Sequence, residues 1–290
     1  MATPSPDAWR AASQTTTWRG HTQRYWDAGE GPVLLVIHGF PTSSWDFAPI
    51  WGELTSRFRV IAPDLLGFGF SDKPRDYGYS LVDAASQCEA LCDELGVERA
   101  HLLAHDYGDS VAQELLARHA EGSLAWTIDS CVLLNGGVFP EQHRPRPIQK
   151  LLLTPLGPLL SRMMTFDRFA KSFSAVFSAG HQPTRAELAD HWRIIDHQQG
   201  ARIAHRLIRY IPERHENRDR WVDVLLRPKV PLRLVNGVDD PVSGGHVCDH
   251  WLSQDPDADI VRLEGIGHYP QLEAPQRVLA AFDDFHDALD

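Results

Sequence analysis

HLLAHDYGDSVAQELLARHA, residues 101–120, is the stretch on which the reading of the fold turns. Its opening, HLLAH (101–105), is an apolar run with no alternation, the pattern of a strand covered on both faces. Its second half, DSVAQELLARHA (109–120), places apolar residues at helical spacing. The two meet at Ala104-His105-Asp106-Tyr107-Gly108, a strand-to-helix turn with small residues on either side of a carboxylate. The same rhythm extends outward in both directions. VLLVIHG (33–39), FRVIAPD (58–64), SCVLLNGG (130–137), PLRLVNG (231–237) and DIVRLEG (259–265) are further apolar runs that end in polar or Gly-rich turns. Helical patterns at 81–95 and 275–289 separate or follow them. Strand and helix in alternation predict a doubly wound, mostly parallel sheet flanked by helices.

Residues 139–221 interrupt this rhythm. They hold no convincing strand, and pieces such as RAELADHWRIIDHQQGARIAHRLIRYI (185–211) read as helical. We therefore expect a core domain of residues 1–138 and 222–290, with 139–221 as a helical cap placed over the sheet. The opening fifteen or so residues read as a loose tail.

The chain has 290 residues, 43% hydrophobic and 23% charged, which suits one large α/β domain with an insertion. Its 28 Lys and Arg against 39 Asp and Glu give a formal charge of −11, so nucleic acid and membrane surfaces are not expected partners. Cys88, Cys92, Cys131 and Cys248 form no CxxC pair and read as reduced packing residues. The N-terminus lacks a basic head followed by an apolar run, and no stretch reaches the ~18 apolar residues of a membrane span. A cytoplasmic location is expected.

Catalytic groups of an open α/β sheet sit at the carboxyl ends of strands, and three candidates fall there. Asp106 occupies the centre of the turn where a nucleophile elbow, usually G-x-S-x-G, would hold its serine. Asp240, in Val235-Asn236-Gly237-Val238-Asp239-Asp240-Pro241, follows the strand after the insertion. His268, in Gly265-Ile266-Gly267-His268-Tyr269-Pro270, follows the last strand. Asp106 alone could cap a helix. The order nucleophile, acid, histidine, each at a strand end, is what makes a triad of the three. His38-Gly39-Phe40-Pro41 follows the first strong core strand, so the backbone amides of Phe40 and Tyr107 are candidate oxyanion donors. Asp109, one turn beyond Asp106, reads as a first-turn acid on the helix dipole. The alternative is burial beside Asp106, where like charges would raise one pKa. The cap histidines show no metal-ligand spacing and read as surface.

HGFP (38–41), APDLLGFGFSDKP (62–74), HDYG (105–108), GVDDP (237–241) and GHYPQLE (267–273) together resemble the epoxide hydrolase and haloalkane dehalogenase branch of the α/β-hydrolase superfamily. Longer strings, among them HGFPTSSWDF (38–47), HDYGDSVAQELLARH (105–119) and NGGVFPEQHRP (135–145), are similar to one subgroup of that branch. The resemblance implies an α/β-hydrolase fold and a hydrolase that uses an Asp nucleophile and a covalent alkyl-enzyme ester. It implies no metal, nucleotide or organic cofactor. A carboxylate suits displacement at an sp³ carbon because it attacks without first losing a proton. Relatives protonate an epoxide oxygen with cap tyrosines, and Tyr210 is the only tyrosine in the cap. The stretch where a first tyrosine would lie, FDRFAKSFSAVF (166–177), carries only phenylalanines. Tyr107 and Phe40 stand where dehalogenases commonly hold halide-binding side chains, which favours an epoxide over a halide. Haloalkane dehalogenation, ester or lactone hydrolysis, and a non-catalytic binding protein on this fold are the alternatives. His38, His105, Phe173, Phe177 and Tyr269 are expected to line the pocket. The expected ligands are a small apolar substrate and water, and the expected assembly is a monomer or homodimer.

Overall fold

In the computed structural model, which describes residues 3–289, eight strands form one sheet. They are β1 (Gln14–Trp18), β2 (His21–Ala28), β3 (Val33–Ile37), β4 (Arg59–Asp64), β5 (Arg99–His105), β6 (Thr127–Leu134), β7 (Leu232–Gly237) and β8 (Asp259–Leu263). Their order is β1-β2-β4-β3-β5-β6-β7-β8. All neighbours from β4 to β8 pair in parallel, and β2 alone is reversed, pairing antiparallel with both β1 and β4 at one edge. Residues 34–37 and 102–104 are buried on both sides of the sheet, which is why they read as unbroken apolar runs. Leu35, Ile37 and Leu102 join one core, while Leu34, Val36 and Leu103 join another on the opposite face.

Helices cover both faces. In chain order the first four are α1 (Pro6–Ala11), α2 (Trp51–Arg57), α3 (Leu81–Glu94) and α4 (Tyr107–Glu121). Between β6 and β7 the regular elements are all helices: α5 (Pro147–Leu152), α6 (Gly157–Arg162), α7 (Phe166–Ser174), α8 (Arg185–Ile195), α9 (Ala204–Leu207), α10 (Tyr210–Glu216) and α11 (Arg218–Leu226). The run read as helical over 185–211 is broken after Asp196, where Gln198 and Gln199 take left-handed φ values of 53° and 63°. After β7 follow α12 (Gly245–Gln254), α13 (Pro270–Glu273) and α14 (Pro275–Asp287). α11 returns the insertion to the core: the Trp221 indole donates to Glu114 of α4 at 2.9 Å, and Gln113 donates to the Trp221 carbonyl at 2.9 Å.

The N-terminal segment departs from the loose tail that was expected. Ser5 caps α1 by accepting from the Ala8 amide at 3.3 Å, and Pro6 starts the helix where its missing N–H costs nothing. Trp9 is buried and stacks on Trp26, with ring centroids 5.0 Å apart, and meets Trp51 edge-on. The large aromatic area removed from water, rather than helix propensity in six residues, holds this segment down.

Candidate active site

The strand ends deliver the expected groups to one edge of the sheet. The turn after β5 forces Asp106 into φ 49°, ψ −100°, a conformation L residues rarely adopt. Gly108 makes the turn feasible, because a Cβ there would strike the Ile37 carbonyl. A Cβ on Gly39 would lie 2.6 Å from His105 Nδ1 and 3.0 Å from Asp106 Cβ; one on Gly267 would lie 2.6 Å from the Val176 carbonyl. The sheet side of the site is therefore built from backbone approached at van der Waals limits.

Asp106 is buried, and both of its carboxylate oxygens are engaged. The Phe40 amide donates to Oδ2 at 3.1 Å. Arg214 Nη2 lies 3.4 Å from Oδ1 and donates to the Asp106 carbonyl at 2.8 Å, while its Nε donates to Ser110 Oγ at 2.7 Å. Burial pushes the Asp106 carboxyl up, but the Arg214 guanidinium and the His268 ring outweigh it and hold it below the usual range. The carboxylate is ionised.

His268 Nδ1 pairs with Asp240 Oδ2 at 2.7 Å. Asp240 is itself fixed by the amides of Val242 and Ser243 at 2.7 and 3.0 Å and by Asn135 Nδ2 at 3.2 Å. Burial disfavours a charged His268 ring, yet the Asp240 carboxylate overrides this and pushes it up to about 9, with Asp106 adding to the effect. Glu273 holds the loop that carries this histidine, accepting from the amides of Gly267, Tyr269 and Ser178 at 2.8, 3.1 and 2.9 Å. The Ser178 contact, with a 3.0 Å bond from the His268 amide to the Val176 carbonyl, ties the insertion to the same loop.

Asp106 and His268 open into a cavity of about 600 Å³ between the sheet edge and the insertion. Phe40, Phe173, Tyr210 and Tyr269 line it, together with aliphatic residues of α5 and α6. The buried Tyr210 hydroxyl accepts from Gln149 Nε2 at 3.2 Å, and its ring lies under the Arg214 guanidinium, 4.5 Å from Cζ to the ring centroid. Tyr107 is the first residue of α4, directly after the turn. Its ring faces away from the cavity, with the hydroxyl 3.4 Å from the Ser80 carbonyl.

Three expected pocket residues lie elsewhere. His38 is buried beneath the cavity: Nε2 accepts from the Leu65 amide at 3.1 Å, which leaves Nδ1–H to donate to the Gly39 carbonyl at 2.9 Å. His105 is also buried, 2.8 Å from the His268 carbonyl, and burial with the neighbouring His268 charge lowers it to about 4. A neutral ring there donates through Nε2 and supports the His268 backbone. Phe177 stacks on Tyr269 at 5.1 Å but faces a second cavity, shared with Trp45 and His181. Each is an aromatic side chain in the second layer, adjacent in sequence or space to a residue that does face the cavity.

Asp109 is in the first turn of α4, as expected, and it also meets the alternative reading of burial beside Asp106. It is fully buried, and burial, then the Asp106 charge, push its carboxyl well above the usual range. Of the two carboxyls, Asp109 is the one whose neutral form is favoured and Asp106 the one whose charged form is. The cap histidines were read as surface, yet His143 and His191 are buried, and burial lowers each to about 3. The sequence reading passed over Arg214 and Glu273. Arg214 stands four residues after Tyr210 on one helix, a spacing that places both side chains on the same face.

The sequence model described as "Alpha/beta hydrolase family" matches residues 33–281. The mesoderm-specific transcript protein of Mus musculus is 41% identical over 294 residues, spanning 97% of this chain and 88% of the relative. LipZ of Mycobacterium tuberculosis is 38% identical over 277 residues, spanning 95% of this chain and 96% of its own length. Among solved structures, epoxide hydrolase CorEH without ligand superposes with a TM-score of 0.79 at 19% identity, covering 96% of this chain and 99% of its own. At that identity the likeness speaks for the fold.

Proposed function

From the premise that the chain belongs to the alpha/beta hydrolase family and has its fold, we propose a cofactor-independent hydrolase in which Asp106 attacks an sp³ carbon, most similar to an epoxide hydrolase acting on an apolar substrate. The observation that carries this reading is the group at the elbow. An ionised carboxylate, not a hydroxyl, sits at the floor of a mostly apolar cavity beside a histidine–aspartate pair.

In this reading Asp106 Oδ1 forms a bond to an epoxide carbon, the carbon–oxygen bond of the ring breaks, and the alkoxide takes a proton. Tyr210 is the cap phenol that faces the reacting edge, and Tyr269 is the second phenol in the cavity wall. The cavity wall holds no Trp or Asn side chain, which favours an epoxide over a halide. Alkylation cancels the Asp106 charge, one of the charges that keeps His268 protonated. The imidazolium therefore yields its proton as the alkoxide gains one, and the neutral ring can act as base. Water then loses a proton to His268 and bonds to Asp106 Cγ. The Phe40 and Tyr107 amides stabilise the resulting oxyanion on Oδ2. The Cγ–Oδ1 bond breaks with the Arg214 guanidinium beside the departing oxygen, which takes the proton held by His268; the new hydroxyl on Cγ gives its proton back to His268, and the carboxylate is restored with one oxygen from solvent.

One turnover in ¹⁸O-water, with enzyme in excess over an aryl epoxide, tests this. Label is expected in the peptide that contains Asp106 and not in the first diol released. The His268→Gln variant is expected to accumulate an adduct heavier by the mass of the epoxide. Label in the first product, with no adduct, would refute Asp106 as nucleophile.

A further inference from the structure

The insertion carries a surface that the proposed chemistry does not use. Leu151, Leu153, Leu156, Leu159 and Met163 are 47%, 40%, 59%, 55% and 46% exposed, all within thirteen residues of α5, α6 and their flanks. Elsewhere among the described residues only Val82 and Leu289 are large hydrophobics so exposed. The fold does not account for these five, because α5 and α6 already bury Leu152 and turn Ile148, Leu160 and Met164 toward the cavity. The two helices are thus apolar on an inner face that lines the cavity and on an outer face that meets water. A clustered apolar surface of this kind marks an interaction site.

Charge identifies what it meets. Residues 144–171 contain Arg144, Arg146, Lys150, Arg162, Arg168 and Lys171 against a single acid, Asp167, for a local charge of +5 in a chain of −11. None of these six cations forms an ion pair among the described residues, and Arg146, Arg168 and Lys171 stand at the wall of the cavity itself. Exposed leucines among Lys and Arg free of acidic partners, on short helices at the surface, are the composition of an interfacial surface on anionic lipid. No helix among the described residues is long and apolar enough to cross a membrane, so the contact is a seating on the surface.

We propose that the outer face of α5 and α6 docks on an anionic lipid bilayer and sets the cavity beside the acyl layer, so that the substrate is an apolar molecule dissolved in lipid. The substrate part rests on the hydrolase reading above; the docking part does not. The overall charge of −11 argues against membranes only when it is spread evenly, and here it is not.

Co-sedimentation of the full chain with vesicles decides the matter, comparing phosphatidylcholine alone with an equal mixture of phosphatidylcholine and phosphatidylglycerol. Binding is expected to the mixture, and to weaken at high salt. The double variant Leu156→Gln/Leu159→Gln, and separately Lys150→Gln/Arg162→Gln, should lower binding at least about tenfold. Both should leave turnover of a water-soluble epoxide unchanged, since none of the four residues lines the cavity. Undiminished binding by both variants, or no binding to the mixture, overturns the proposal. So does a solution dimer that Leu156→Gln/Leu159→Gln dissociates, which would assign the face to a second copy. Vesicle binding by a chain inactive on every epoxide would uphold the docking and refute the epoxide reading alone.

Discussion

The sheet edge and the helical insertion treat buried polar groups in opposite ways. At the sheet edge the two acids that hold His268 are fully engaged: Asp240 accepts from two amides, Asn135 and His268, and Glu273 accepts from three amides. On the insertion side, Arg214 Nη1 and both ring nitrogens of His143 have no protein partner although they are buried. A saturated network fixes geometry, while a partly satisfied one leaves its members able to adjust. The difference assigns precision to the strand ends and adaptability to the helices above them. It also predicts which substitutions will cost most.

The sharpest test removes the one strong electrostatic link between the two regions. Arg214→Met leaves the Asp106 carboxylate buried without its cation, which should cost about 3–5 kcal/mol. The sign with pH follows from the depressed Asp106 pKa: its contribution is present above the unfolded value of 3.8 and is lost as pH falls. The deficit of the variant in urea denaturation should therefore be full at pH 7 and shrink below about pH 4. A loss under about 1 kcal/mol at pH 7 would show that the insertion does not carry the charge balance of the site.

Within the sheet edge, His268→Gln isolates the saturated pair. The ring is pushed up to about 9 from 6.5, so its pairing stabilises the fold fully below pH 6.5 and fades as pH rises through 9. The difference corresponds to on the order of 3 kcal/mol. Wild type should exceed the variant more at pH 6 than at pH 9.5, and an equal margin at both would break the comparison.

The smallest effect is expected at Asp109, on the sheet side but outside its network. Its Oδ2 has no protein partner, and Oδ1 accepts only a 3.4 Å bond from the Leu134 amide. A carboxyl raised in the folded state favours folding at acid pH and loses that contribution as pH rises through the folded value. Asp109→Asn keeps the shape without the charge, so its stability at pH 7 should lie within about 1 kcal/mol of wild type or above it. A clear loss at pH 7 would mean that Asp109 is ionised and paired.

Much of the sheet edge was legible in the sequence because its signals are local. Asp106, Asp240 and His268 each follow an apolar run within a few residues, and a strand buried on both faces announces itself. β1 and β2 were missed because an edge strand with one wet face, such as QTTTW, has little apolar content. Trp9 was misread because six helical residues cannot hold themselves, and their anchors, Trp26 and Trp51, lie far along the chain. Arg214 was invisible for a related reason: it reaches Asp106 across 108 positions, and an arginine in an Arg-rich helix carries no local mark. His38 and His105 were correctly placed near the chemistry but on the wrong side of the backbone, a distinction that residue spacing does not encode.

The glycines at the elbow constrain how this protein could be re-engineered or could diverge. Gly39, Gly108 and Gly267 each stand where the smallest added carbon collides with backbone or with the His105 and Asp106 side chains. At these three positions, therefore, no side chain can be introduced without displacing the elbow. Variation in what the protein accepts enters most readily through α5, α6 and α7, where Ile148, Leu160, Phe169 and Phe173 form a replaceable wall. A library aimed at new substrates gains by confining itself to those helices, and two homologues with the same elbow but different helices should be expected to differ in diet rather than in chemistry.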